Sequence, residues 1–182
     1  MAHNASEPDF VVPAYSIPAY WSRVCAVHMD RKMVAAVWGA VGEGDSVVLY
    51  GEYLAKRGDL AIHADAIRRR GGWIPAVLDP DADRRKKAEG QRLVDRFVDL
   101  NVNLFVVEGD QEAGLHEMAT RLSSKRFRVL DTMTEWLTQY RGYRRNSDGE
   151  VLEGDHQLMT ATELLVWGLV AHVVADWLLQ ND

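Results

Sequence analysis

Between Ser22 and Met29 the sequence SRVCAVHM alternates with a period of two, setting Val24, Ala26 and His28 on one face and Cys25, Val27 and Met29 on the other. Both faces are largely apolar, so the pattern predicts a strand covered on both sides. Asp30 continues the His28 face two residues further on. Met33 to Val41 and Ser46 to Leu54 are two further apolar runs, joined by GEGD at Gly42 to Asp45, and the three predict an antiparallel meander. The period then lengthens. Asp59 caps a predicted helix through Arg70, with Leu60, Ala61, Ala64 and Ile67 as its apolar side. Its last turn, Arg68, Arg69 and Arg70, reads most simply as a solvated turn complementing the helix dipole.

Gly71 and Gly72 end that helix, and Trp73 to Leu78 predicts a fourth strand that runs into the acids Asp79 and Asp81 and then the cationic stretch DRRKK. A helix is expected from about Glu89 to Leu100, with Leu93, Val94, Phe97 and Val98 facing the core. Asn103 to Val107 follows as a strand parallel to the fourth, because a helix separates the two. Then come a helix over Gln111 to Ser123, a strand over Phe127 to Leu130, and a helix over Thr132 to Tyr143 with Met133, Trp136, Leu137 and Tyr140 on its buried side. A turn, NSDG at Asn146 to Gly149, precedes a long apolar helix from Gln157 to Leu179 that needs cover around most of its circumference. Residues 1 to 18, punctuated by Pro8, Pro13 and Pro18, form an extended lead-in.

Composition narrows the class. The chain has 182 residues, 47% hydrophobic and 26% charged, which suits one globular domain that buries roughly two-thirds of the surface of its unfolded chain. A net charge of −6 excludes a chain that coats nucleic acid by bulk electrostatics, so any such contact has to come from a local basic patch. The lone Cys25 offers no disulfide framework and makes a reducing compartment the default. MAHNASEPDF lacks the basic and apolar regions of a signal peptide. Leu164 to Ala175 is too short to span a bilayer, and no membrane contact is expected.

Three antiparallel strands, a helix, a parallel strand, a helix and another parallel strand, with trailing helices, is an α/β order that resembles the ribonuclease-H-like fold: a mixed sheet flanked by helices. That fold holds carboxylates on its first strand, at the end of the fourth and at the start of a late helix. The chain places polar groups at all three. Asp79 is open to two readings, as the first residue of the turn or as a carboxylate sharing a metal.

Several landmarks then occur in order: IPAYW at Ile17 to Trp21, AAVW at Ala35 to Trp38, HADAIRRRGGWIP at His63 to Pro75, EAGLHEM at Glu112 to Met118, YRR at Tyr143 to Arg145, DG at Asp148 and Gly149, and LMTAT at Leu158 to Thr162. On these the chain, over about residues 17 to 165, resembles the C-terminal nuclease domain of tailed-phage large terminase subunits. The resemblance implies a bacteriophage DNA-packaging nuclease in the cytoplasm of a bacterial host. It implies phosphodiester hydrolysis with two Mg or Mn ions, and as partners double-stranded DNA held through its phosphates, an ATPase motor and a portal. A single nuclease domain over residues 19 to 182 is expected, without an ATPase domain, since no GxxxxGK[ST] loop occurs.

By the resemblance, Asp81 falls on the family's middle catalytic aspartate. His28 falls on its first-strand acid, and His156 and Gln157 on its late acid pair, with Asp30 and Asp155 close by. Asp30 lies about 6 to 7 Å further along the strand than the position it would replace. Three readings stay open. The first is an active nuclease using Asp81, Asp155 and Asp30. The second is a catalytically degenerate module that binds DNA or the packaging machinery. The third is a transition-metal site of His28, Asp81 and His156, since two imidazoles and one carboxylate suit Mn, Zn or Fe better than Mg. Arg84, Arg85, Lys86 and Lys87, and then Arg141, Arg144 and Arg145, are the candidate phosphate contacts.

Overall fold

The computed structural model describes residues 8–80, 92–107, 111–143, 154 and 156–170. In these, seven strands form one mixed sheet: β1 (Val11–Val12), β2 (Ser22–Met29), β3 (Met33–Val41), β4 (Val47–Lys56), β5 (Ala76–Leu78), β6 (Leu104–Val106) and β7 (Phe127–Leu130), in the spatial order β1-β7-β4-β3-β2-β5-β6. β2, β3 and β4 are the expected antiparallel meander. β5 pairs parallel to β2 and β6 parallel to β5, while β7 lies parallel to β4 on the far side. The lead-in contributes β1, which runs parallel to β7 and fixes its end by accepting the Asp131 N–H on Val12 O at 2.9 Å.

The described helices are α1 (Leu60–Arg69), α2 (Leu93–Asp99), α3 (Gln111–Ser123), α4 (Thr134–Gly142) and α5 (Gln157–Val170). They cover both sheet faces, and the alternation along β2 is what separates the two cores. Val24 and Ala26 join Val37, Leu49 and Val77 beneath α4 and α5. Cys25, Val27 and Met29 join Trp38 and Leu78 beneath α1 and α2. Leu158, Met159, Ala161, Leu164, Leu165, Val166 and Trp167 of α5 are all buried, which accounts for its near-continuous apolar sequence. Thr162 sits among them because its hydroxyl is satisfied, accepting from Trp136 Nε1 at 2.8 Å and donating to Leu158 O at 2.7 Å. Gly114 of α3 lets α5 close in: a Cβ there would lie 2.9 Å from Trp167 Cα.

Two expectations change, the first being that Val98, expected to face the core with Leu93, Val94 and Phe97, is 51% exposed. The fourth strand begins at Ala76, three residues late, because Gly71, at φ 139, starts a turn closed by Ile74 N donating to Gly71 O. Trp73 is therefore exposed and outside the sheet. The long helix is described to Val170, and the remainder of its expected span lies outside the described residues.

α4 lacks a capping side chain of its own, and Glu52 of β4 supplies one. Its carboxylate accepts Glu135 N at 3.1 Å and Trp136 N at 2.7 Å. Glu52→Ala leaves these donors without their acceptor, with an expected loss of about 1 kcal/mol in urea unfolding; an unchanged midpoint would show that water caps the helix equally well.

Candidate functional site

The parallel register of β2 and β5 builds the centre of the site. Cys25 faces Ala76, Ala26 faces Val77 and Val27 faces Leu78, so the next pair, His28 and Asp79, emerges side by side from the C-terminal ends of the two strands. His28 Nδ1 lies 3.3 Å from Asp79 Oδ2, with the side chains 14% and 21% exposed. That distance is at the long end of an N–H···O contact and gains from opposite charge when the ring is protonated.

Asp30 closes the turn between β2 and β3. Its Oδ1 accepts the backbone N–H groups of Lys32 and Met33, both at 2.7 Å. Its Oδ2 accepts Gln157 Nε2 at 3.1 Å, tying the first residue of α5 to the end of β2. Burial pushes the Asp30 carboxyl upward, but the hydrogen bonds from Met33, Lys32 and Gln157 and the nearby His28 outweigh it, and the net direction is below the ordinary carboxylate value. The depressed value fixes the sign of the pH dependence. The contribution of Asp30 is complete above the unfolded-state pKa and is lost as pH falls through the lower folded-state value. Asp30→Asn is expected to cost about 1 kcal/mol near neutral pH. It should also flatten the acid limb of stability below about pH 4; parallel acid limbs for the two proteins would contradict the assignment.

The start of α5 is held a second time. Leu158 N donates to Oε1 of the buried Gln139 at 2.8 Å. His156, one residue before α5, meets the Tyr143 ring edge-on at 5.1 Å, and Tyr143 donates its hydroxyl to Glu163 Oε1 at 2.9 Å. The structure thus brings His28, Asp30, Asp79 and Gln157 together and sets His156 against Tyr143. Asp81, Asp155, Arg84, Arg85, Lys86, Lys87, Arg144 and Arg145 lie outside the described residues. Gln139 escaped the sequence reading, although its spacing of three from Trp136 places it on the buried side of α4, where a polar residue needs a partner.

No protein-family model matches the chain, and no curated protein matches it. Among solved structures, the P22 large terminase nuclease domain superposes with a TM-score of 0.74 at 16% identity, over 91% of this chain and 88% of that one. The fold is that of the terminase nuclease domains. The large terminase of a thermophilic bacteriophage, in complex with ADP, gives 0.72 at 14% identity over 91% of this chain, which spans only 43% of that longer one. The human cytomegalovirus terminase nuclease domain, Mn soaked, gives 0.55 at 10% identity over 85% and 88%. The ribonuclease-H-like order read from the sequence is therefore the order of the fold.

A terminase nuclease fold raises the question of metal. Among the described residues, no group of three His, Cys, Asp or Glu side chains stands close enough to hold an ion. His28 and Asp79 offer one nitrogen and one carboxylate, and the oxygens of Asp30 already accept hydrogen bonds. Two hard ions want an oxygen-rich shell. The described donors fit that shell only if further carboxylates join them.

Proposed function

We propose that the chain is a divalent-metal-dependent DNA endonuclease of the terminase type, acting where β2, β5 and α5 meet. The observation that supports this reading is the Asp30–Gln157 hydrogen bond. It holds the start of α5 against the end of β2, the strand whose His28 already meets Asp79. Asp81 follows Asp79 by two residues and Asp155 directly precedes His156 in the sequence. Together with Asp79 they would supply an oxygen-rich set beside one imidazole, a mixture that suits Mn better than Mg. When bound, two such ions supply an activated water and stabilise the leaving oxygen of a phosphodiester.

The chain's own residues do the rest. Asp30 acts as a positioning residue, and Asp79 fixes the orientation of the His28 ring. Arg84, Arg85, Lys86, Lys87, Arg144 and Arg145 neutralise phosphates on double-stranded DNA without reading bases. In a packaging reaction the partners are an ATPase motor and a portal, in the cytoplasm of a phage-infected cell.

One observation favours a second reading, a degenerate module that binds DNA or the packaging machinery without cutting. The imidazole of His28 stands on β2 where the resemblance implies an acid, and the acid two residues further on, Asp30, holds a turn. Incubation with supercoiled plasmid separates the two. The proposed function requires nicking in Mn that stops in EDTA, whereas retained DNA binding with no nicking in Mn or Mg leaves the second reading.

A further inference from the structure

Arg70, the last of the arginine run, and the exposed Trp73 are not used by the site above; each lies against the sheet's aromatic and cationic side chains away from His28. Arg23 stands near the start of β2, five residues and about 17 Å along the strand from His28. Its Cζ lies 5.5 Å from the centre of the Tyr50 ring and 5.7 Å from that of Trp73. Arg70 Cζ lies 4.6 Å from the centre of the Trp38 ring. Tyr50 is the extra residue of a β-bulge, where Trp38 pairs with Gly51 but Gly39 pairs with Leu49. A Cβ on Gly51 would collide with Arg70 Nη1, so this glycine leaves room for the guanidinium against the sheet.

Both cations are held by rings and carbonyls. Arg70 Nη2 donates to Glu52 O at 2.9 Å and Arg23 Nη2 to Ile17 O at 3.4 Å. Among the described residues no carboxylate pairs with either, whereas Arg68 and Arg69 share Asp65 at 3.5 and 2.8 Å. The Glu52 carboxylate is turned to the N-terminus of α4. Burial raises the Tyr50 phenol to about 12, so it adds no negative charge at neutral pH. Trp73 is 55% exposed. The patch therefore combines two guanidiniums that no described carboxylate pairs with and an aromatic surface open to solvent.

We propose that Arg23, Arg70 and Trp73 form a binding site for single-stranded DNA, remote from the cleavage site. A single strand alternates phosphates, which guanidiniums bind, with bases free to stack on an indole or a fixed guanidinium. A duplex keeps its base faces stacked inside, and an acidic peptide brings charge without planar groups. The proposal goes beyond the cleavage reading and does not require it.

The test is titration with a fluorescein-labelled oligothymidylate in EDTA and low salt, read by anisotropy and by tryptophan emission. Binding should quench the emission of the wild type, and Trp73→Ala should remove most of that quenching. Trp73→Ala and Arg70→Gln should each weaken binding about tenfold. Arg69→Gln makes the same charge change on an exposed arginine already paired with Asp65, and should alter binding by less than about twofold. Equal losses for Arg69→Gln and Arg70→Gln would reduce the effect to net charge and overturn the proposal. So would a Trp73→Ala protein that binds as tightly as the wild type, or displacement of the strand by polyglutamate at equal charge concentration, which would point to an acidic protein partner. Should Trp73→Ala fail to fold, the two arginine variants decide the matter. Because the assay contains no metal, its outcome is independent of whether the chain cuts DNA.

Discussion

Asp81→Ala is expected to lower Mn-supported nicking of plasmid DNA by at least about 100-fold, with the circular dichroism spectrum unchanged. The size follows from what a bound ion does for the reaction. A lost carboxylate removes both a hard ligand and a negative charge that keeps two divalent cations close together. The described acids Asp79 and Asp30 are already engaged, Asp79 by His28 at 3.3 Å and Asp30 by two backbone N–H groups and the Gln157 amide. Initial rates of conversion from supercoiled to open-circular plasmid give the comparison directly. Equal rates for wild type and variant would remove Asp81 from the chemistry.

His28→Asp is expected to trade stability for metal dependence. The imidazole now stands between a buried strand end and the Asp79 carboxylate; an aspartate there would bring two carboxylates together in a partly buried place. At a separation of about 4 Å and an intermediate dielectric their repulsion is of the order of a few kcal/mol. The variant should therefore melt below the wild type in EDTA at neutral pH, by about 4–8 °C for each 2 kcal/mol at this chain length. Added Mg or Mn should recover the loss, because a cation between the two oxygens converts repulsion into ligation. The wild type, with nitrogen at that position, should gain less from Mg than the variant does. Equal melting of the two proteins in EDTA and in Mg would mean that His28 and Asp79 do not form one site.

Local pattern made the strands of the meander legible, because β2 sets two apolar faces over eight positions and β3 is a continuous apolar run of nine. The order of elements was legible for the same reason. What local pattern does not carry is contact between distant residues. Asp30 and Gln157 are 127 positions apart, and nothing near either marks the other. Asp30 reads as a free acid in the sequence, yet it closes a turn, because its neighbours Lys32 and Met33 present their N–H groups to it. The His28–Asp79 pair depends on the parallel register of β2 with β5, and shifting that register by one residue would turn every side chain to the other face. β1 is two residues long and too short for any period, and the cap that Glu52 places on α4 spans 84 positions. Trp73, read as a strand residue, was displaced by the turn that Gly71 starts.

The claim that β2, β5 and the start of α5 meet around metal ions is tested most directly by anomalous scattering from crystals soaked in manganese. The expected result is Mn density beside Asp79, where Asp81 and Asp155 would supply the further carboxylates. Crystals with no manganese there, and with the Asp81 and Asp155 carboxylates turned away from each other, would contradict it.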